Sequence, residues 1–230
     1  MKITSLFALL LLCGTVPVCA PAQQPPVAIV TDKILDRMMP DAEPLRNVTM
    51  KTAFITVLRL AKLSGGIIEV NDCAHSVSGS EALHSYLFTG LKIREALDRI
   101  VSENPDYKWE VKDGAVDLVS LKGVPAVLNL SLAYFEVSSQ DSAVGAVAKL
   151  LQQPEVEKII SESKLKQEDK VHVLIGGAPP RLGKAATFNG ATVMNILNSV
   201  AKSNPYPAVW HYVETTGSCN HTYYLDWVAR

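Results

Sequence analysis

FTGLKIREALDRIVSENPDYKW, residues 88–109, is matched in outline by FNGATVMNILNSVAKSNPYPAVW, residues 188–210. Phe88 and Phe188 correspond, as do Gly90 and Gly190, Leu97 and Leu197, and the Asn-Pro pairs at 104–105 and 204–205. Ile93, Ala96, Leu97, Ile100 and Val101 in the first stretch answer to Val193, Ile196, Leu197, Val200 and Ala201 in the second. Apolar residues at i, i+3, i+4, i+7 and i+8 line one face of a helix, so each stretch reads as a helix burying that face. Asn-Pro ends both, because the residue before a proline is pushed out of the α region. The expectation is an α+β protein of two related small units. Each has two helices packed on short mixed strands and ends in a β-hairpin.

Working outward, the first unit spans residues 45–122. Phe54, Val57, Leu58 and Ala61 have helical spacing, and Gly65-Gly66 is expected to close that helix as a left-handed cap. Residues 67–70 (IIEV) are β-branched and read as a strand, and Tyr86-Leu87-Phe88 resumes strand character. After the repeated helix, residues 107–111 and 116–119 flank Lys112-Asp113-Gly114, and Asp-Gly between alternating runs is a strong hairpin signal because type I′ turns need positive φ. The second, diverged unit spans 123–230. It has a strand around Leu128–Tyr134, a helix through Val144, Val147 and Leu151 with Ser138-Ser139 as caps, and a strand at 171–175. An inserted helix at 154–165 opens on Pro154, and the terminal hairpin is built from 209–214 and 222–227.

Residues 1–22 read as a signal peptide: Lys2 is the only charge before Asp32, and a short apolar run, 3–12, is followed by small residues. That run is too short to cross a bilayer, and no transmembrane segment is expected in the mature chain. Gln23-Gln24-Pro25-Pro26 begins a linker to residue 44, in which Ile34, Leu35, Met38 and Met39 suggest a small helix before Pro40. Export leaves Cys73 and Cys219 in the mature chain. An oxidising compartment makes them a candidate disulfide worth on the order of 4–5 kcal/mol in the chain-entropy account.

The first unit resembles the short N-terminal (STN) domain of secretins and TonB-dependent receptors. The resemblance rests on the first helix with Gly65-Gly66, the strand at 67–70, the run 86–90 (YLFTG), Glu95-Ala96-Leu97-Asp98 and the hairpin at 107–119. It implies a periplasmic module of the cell envelope for protein contacts, with a secretin, receptor or inner-membrane component as partner. No barrel stands within these 230 residues, so an adaptor is expected rather than the channel or receptor itself.

Composition points the same way. A hydrophobic content of 48%, a charged content of 20% and a formal net charge of −1 describe a globular chain with no basic field for nucleic acid. Residues 176–184 lack the glycine and the Ser/Thr of a phosphate-binding loop, and Pro179 and Pro180 remove donors it would need. His211, Glu214, Cys219 and His221 match no closed zinc set, His75 with His84 is weaker, and Ser76–Ser80 lacks a nucleophile elbow. No cofactor, metal or catalytic residue is expected. The hairpin aromatics Trp210, Tyr223 and Trp227 are the candidate contact surface, because Trp and Tyr dominate interface hot spots. The rival readings are a periplasmic protein binding a peptide or glycan between the units, and an exported hydrolase with a site assembled from distant residues.

Overall fold

A computed structural model describes residues 30–72, 82–168, 180–217 and 221–229. The first half runs α1 (Asp32–Leu35), β1 (Leu45–Val48), α2 (Met50–Ala61), β2 (Gly65–Asp72), β3 (His84–Tyr86), α3 (Ile93–Ser102), β4 (Tyr107–Lys112) and β5 (Ala115–Ser120). The second runs α4 (Ala126–Asn129), β6 (Ser131–Val137), α5 (Ala143–Leu151), α6 (Pro154–Glu162), β7 (Lys166–Gln167), β8 (Ala186–Thr192), α7 (Val193–Ser203), β9 (Ala208–Thr216) and β10 (Thr222–Ala229). The protein is α+β, with strand hairpins in a mixed sheet.

Local chemistry places the helix ends. Thr49 accepts from the Thr52 N–H at the start of α2, Ser142 from Gly145 at α5, and Thr192 from Asn195 at α7. At α3 the Glu95 carboxylate accepts from the Lys92 N–H at 2.8 Å. Pro154 occupies the first turn of α6. Three local expectations need correction. The left-handed cap of α2 is Lys62 (φ 58°), and Gly65-Gly66 lies within β2. The cap of α5 is Ser142 rather than Ser138 or Ser139, and residues 126–129 form a helical turn before β6 starts at Ser131.

The strands form one six-stranded sheet in the order β4-β5-β2-β9-β10-β7 and two small antiparallel pairs, β1-β3 and β6-β8. The same pairings occur in each half. β4-β5 and β9-β10 are antiparallel hairpins, while β2 runs parallel to β5 and β7 parallel to β10. The halves meet where β2 pairs with β9 in parallel, from Gly65↔Val209 to Asp72↔Thr216. Because β9 runs along β2 while β4 runs against it, the second triplet is turned end for end. A half-turn about an axis crossing the strands relates the two triplets. It presents the second half's helices to the opposite face of the sheet.

That half-turn explains why β2 has no solvent-exposed face over Gly65–Glu69. Ile67 belongs to the core formed by Phe54, Leu58, Ile93, Leu97 and Ile100, with Val209 crossing over from the second half. Ile68, one residue on, points the other way, into the core of Leu128, Val147, Ile196, Leu197, Trp210 and Tyr212. Neighbouring strand residues face opposite sides, so a strand between two helical layers reads as a continuous apolar run. The halves to either side of residue 122 share one sheet, and each core borrows residues from the other half.

The joint needs glycine. A Cβ on Gly66 would lie 2.1 Å from the Trp210 ring, and one on Gly65 would lie 1.7 Å from the Val116 carbonyl oxygen. Gly66→Ala is expected to cost about 2–3 kcal/mol by overpacking, read from the urea midpoint. Gly183→Ala, whose Cβ meets nothing nearer than 3.7 Å, is expected to change it little.

Candidate functional site

Each half positions its tryptophan in the same way. Trp109 on β4 donates its indole N–H to Asp98 Oδ1 on α3 at 2.8 Å, and Trp210 on β9 donates to Asn198 Oδ1 on α7 at 2.7 Å. What lies against the two rings differs. Trp210 is fully buried, with Gly66 of β2 against its ring. Trp109 is half-buried, with the Arg94 guanidinium 5.8 Å from its ring centroid. Arg94 in turn contacts Asp32 at 2.7 Å, so α1 holds it over the indole. Among the described residues no strand pairs with the outer side of β4.

The hairpin register fixes which atoms that edge displays. Lys112↔Ala115 flanks the Asp113-Gly114 turn, both turn residues have positive φ, and Leu121 N–H donates to the Asp106 carbonyl at 2.8 Å. Bonding pairs therefore alternate at Lys112, Glu110, Lys108 and Asp106, and the backbone groups of Trp109 and Val111 point away from β5. Val111 is 41% exposed.

Across the β2·β9 joint runs a band of buried polar groups. Ser64 Oγ donates to the Ala201 carbonyl at 3.1 Å and accepts from the Ala208 N–H at 3.2 Å. His211 Nε2 lies 2.8 Å from Glu69 Oε1, with Lys51 Nζ 3.9 Å from the same oxygen. Asn198, while accepting from Trp210, donates to Asp117 Oδ2 of β5 at 2.8 Å. Asp117 Oδ1 is buried with no hydrogen-bond partner among the described residues. Burial pushes the Asp117 carboxyl up to about 7; Glu110 adds to the rise, while the Asn198 and Gly66 hydrogen bonds and Lys112 oppose it.

The sequence-predicted site residues fare unevenly. Trp210 and Tyr223 are 0% and 4% exposed, so neither presents a contact surface. Trp210 fills the core under α7, and Tyr223 stacks on Tyr212 with centroids 6.1 Å apart. Trp227 is half-buried against the same core opposite Trp210 in the hairpin register. Cys73, Cys219, His75, the serine loop, the strand at 171–175 and residues 1–22 lie outside the described residues. His211 and Glu214 are three apart on β9 and so face opposite sides of the sheet, His211 toward Glu69 and Glu214 accepting from the Tyr212 hydroxyl at 2.8 Å. His221 lies 2.9 Å from the Gly217 carbonyl oxygen and His84 3.2 Å from Glu103. Among the described residues no three His, Cys, Asp or Glu side chains group in a way that holds a metal. No described helix is long and apolar enough to cross a membrane.

The line between the halves is a run of paired strands rather than a cleft. A shallow groove of about 560 Å³ lies instead within the second half, lined by Leu151, Ile160, Leu165 and Tyr223 among others. Trp109 stands among the hairpin aromatics of the sequence, but which strand edge stays open was not legible there. One trace of it exists: Lys108, Glu110 and Lys112 stand where β9 carries Val209, His211 and Val213. The chain matches no protein-family model, no curated protein and no solved structure.

Asp117 gives the joint a defined pH dependence. Its folded pKa lies above the unfolded value, so the native state holds the proton between about pH 4 and 7. This contribution to stability is full at low pH and is lost as pH rises through about 7. Unfolding free energy is expected to fall by on the order of 2–4 kcal/mol from this group between pH 4.5 and 8. Asp117→Asn, which has no charge to desolvate, is expected to flatten that slope in urea titrations run across the range.

Proposed function

We propose that this protein is an exported, non-enzymatic interaction module of the bacterial cell envelope, an adaptor that binds another envelope protein. One observation carries the reading: its two halves are held together by strand addition, β2 of one on β9 of the other. Among the described residues the sheet so built still ends in an open edge, that of β4. Strand addition to a sheet edge is a general mode of protein recognition, with backbone hydrogen bonds supplying affinity and side-chain pockets specificity. The resemblance of residues 45–121 to the STN domain and the leader-like residues 1–22 support the envelope as the location.

Photo-reactive residues at Lys108, Tyr134 and Lys158, all exposed, test this in living cells on the full chain. At least one position is expected to cross-link reproducibly to an envelope protein, and deletion of residues 1–22 is expected to hold the protein in the cytoplasm and abolish the product. Export-independent localisation, or no cross-link from any of the three, would overturn the proposal.

A further inference from the structure

Within that interaction reading, on which this inference rests, we propose that the free edge of β4 is the binding site. It takes a single extended strand from a partner protein, parallel to β4, with a glycine against Trp109 and an acidic residue against Lys112.

The argument starts from the two tryptophans. The Trp109–Asp98 and Trp210–Asn198 pairs are equivalent in sequence and geometry, yet only Trp210 is fully covered, with a strand of the other half seated on its edge. That strand contributes Gly66 opposite Trp210 because a Cβ there would enter the ring. Among the described residues β4 presents the same feature without an occupant: a tryptophan held by its helix and, on the same strand edge, outward backbone groups at Trp109 and Val111. Placing a strand on β4 as β2 sits on β9 sets a Gly66-like residue on Trp109 and a Glu69-like residue on Lys112, since Val213 is the β9 counterpart of Lys112.

The differences between the two edges decide what kind of partner fits. On β9 the alternate residues Val209, His211 and Val213 are buried on the first half's side of the sheet. On β4 the corresponding residues are Lys108, Glu110 and Lys112, and Lys108 pairs with Glu110 at 2.7 Å. A whole further module would bury those charges under its helices at a cost of several kcal/mol. A lone strand leaves them at the surface. Lys112, half-buried with its Nζ 3.4 Å from Met194 Sδ and outside the Lys108–Glu110 pair, then supplies complementarity to an acidic residue three positions after the glycine. A second copy of this chain is disfavoured, because its own Gly65-Gly66 strand, β2, is held between β5 and β9.

The probe is a synthetic decapeptide of the protein's own β2, residues 63–72 (LSGGIIEVND), titrated into the isotope-labelled mature chain by NMR. The backbone amides of Trp109 and Val111 and the Trp109 indole N–H are expected to shift. A peptide with Gly66→Val is expected to bind at least about tenfold more weakly, because its branched side chain meets Trp109. Lys112→Glu in the protein is expected to weaken the original peptide about three- to tenfold, and Glu69→Lys in the peptide to restore binding to that variant. The peptide variants leave the protein unaltered, so misfolding does not enter that comparison. No shift at β4, shifts at another edge alone, or indifference to Gly66→Val would overturn the assignment whatever the in-cell cross-links show. Intact peptide binding at β4 without any cellular cross-link would overturn the envelope-adaptor reading instead.

Discussion

The parallel pairing of β2 with β9 is the constraint on which the rest of this structure depends. It turns two three-stranded pieces into one sheet, and because the second piece is turned over, each face of that sheet receives one set of helices. β2 must then satisfy both faces: Ile67 serves one core and Ile68 the other. It must also approach Val116 and Trp210 so closely that two consecutive residues have room for no side chain. Glycine in a strand interior weakens it by entropy and lost packing, and is retained where another group approaches the backbone. Here that group is the largest side chain in the second core.

Polar chemistry at the joint adds selectivity to this packing. Ser64 bonds both sides of the α7–β9 connection, and Asn198 is shared between Trp210 and Asp117, so the halves are matched by hydrogen-bond geometry as well as by shape. Asp117 itself is an expensive component. A carboxylate removed from water with one oxygen unpartnered favours its neutral form, which is why its protonation and the stability of the joint are linked. The exposed ion pairs elsewhere, such as Lys158–Glu162 on α6, lie in high dielectric and contribute at most about 1 kcal/mol.

Reading outward from the repeated stretch recovers elements whose causes are local. The two long repeated helices end at Ser102 and Ser203, just before their Asn-Pro pairs, and the Asp113-Gly114 turn closes the first hairpin. Pro154 opens the inserted helix, which stops at Glu162 rather than Leu165. The same reading failed where a residue's role is set by a distant neighbour. Gly65-Gly66 looks like a helix cap beside Ala61, but its function is defined by Trp210, far along the chain. β1, four residues with only Leu45 and Val48 partly covered, has no periodicity long enough to read and exists because β3 pairs with it. Trp210 and Tyr223 look like interface aromatics by composition alone, and only the sheet's second layer of helices buries them.

What the sequence by itself determined is the α+β class, the two apolar-striped helices and the hairpins, because periodicity, capping and turn conformation act within a few residues of their cause. What only the tertiary structure decided is that the halves fuse through β2 and β9, which faces of the sheet are covered, and that β4 ends the sheet with no described strand on its outer side. Those outcomes depend on strand register and relative orientation between segments far apart in sequence. A run of β-branched residues specifies a strand without specifying its neighbour.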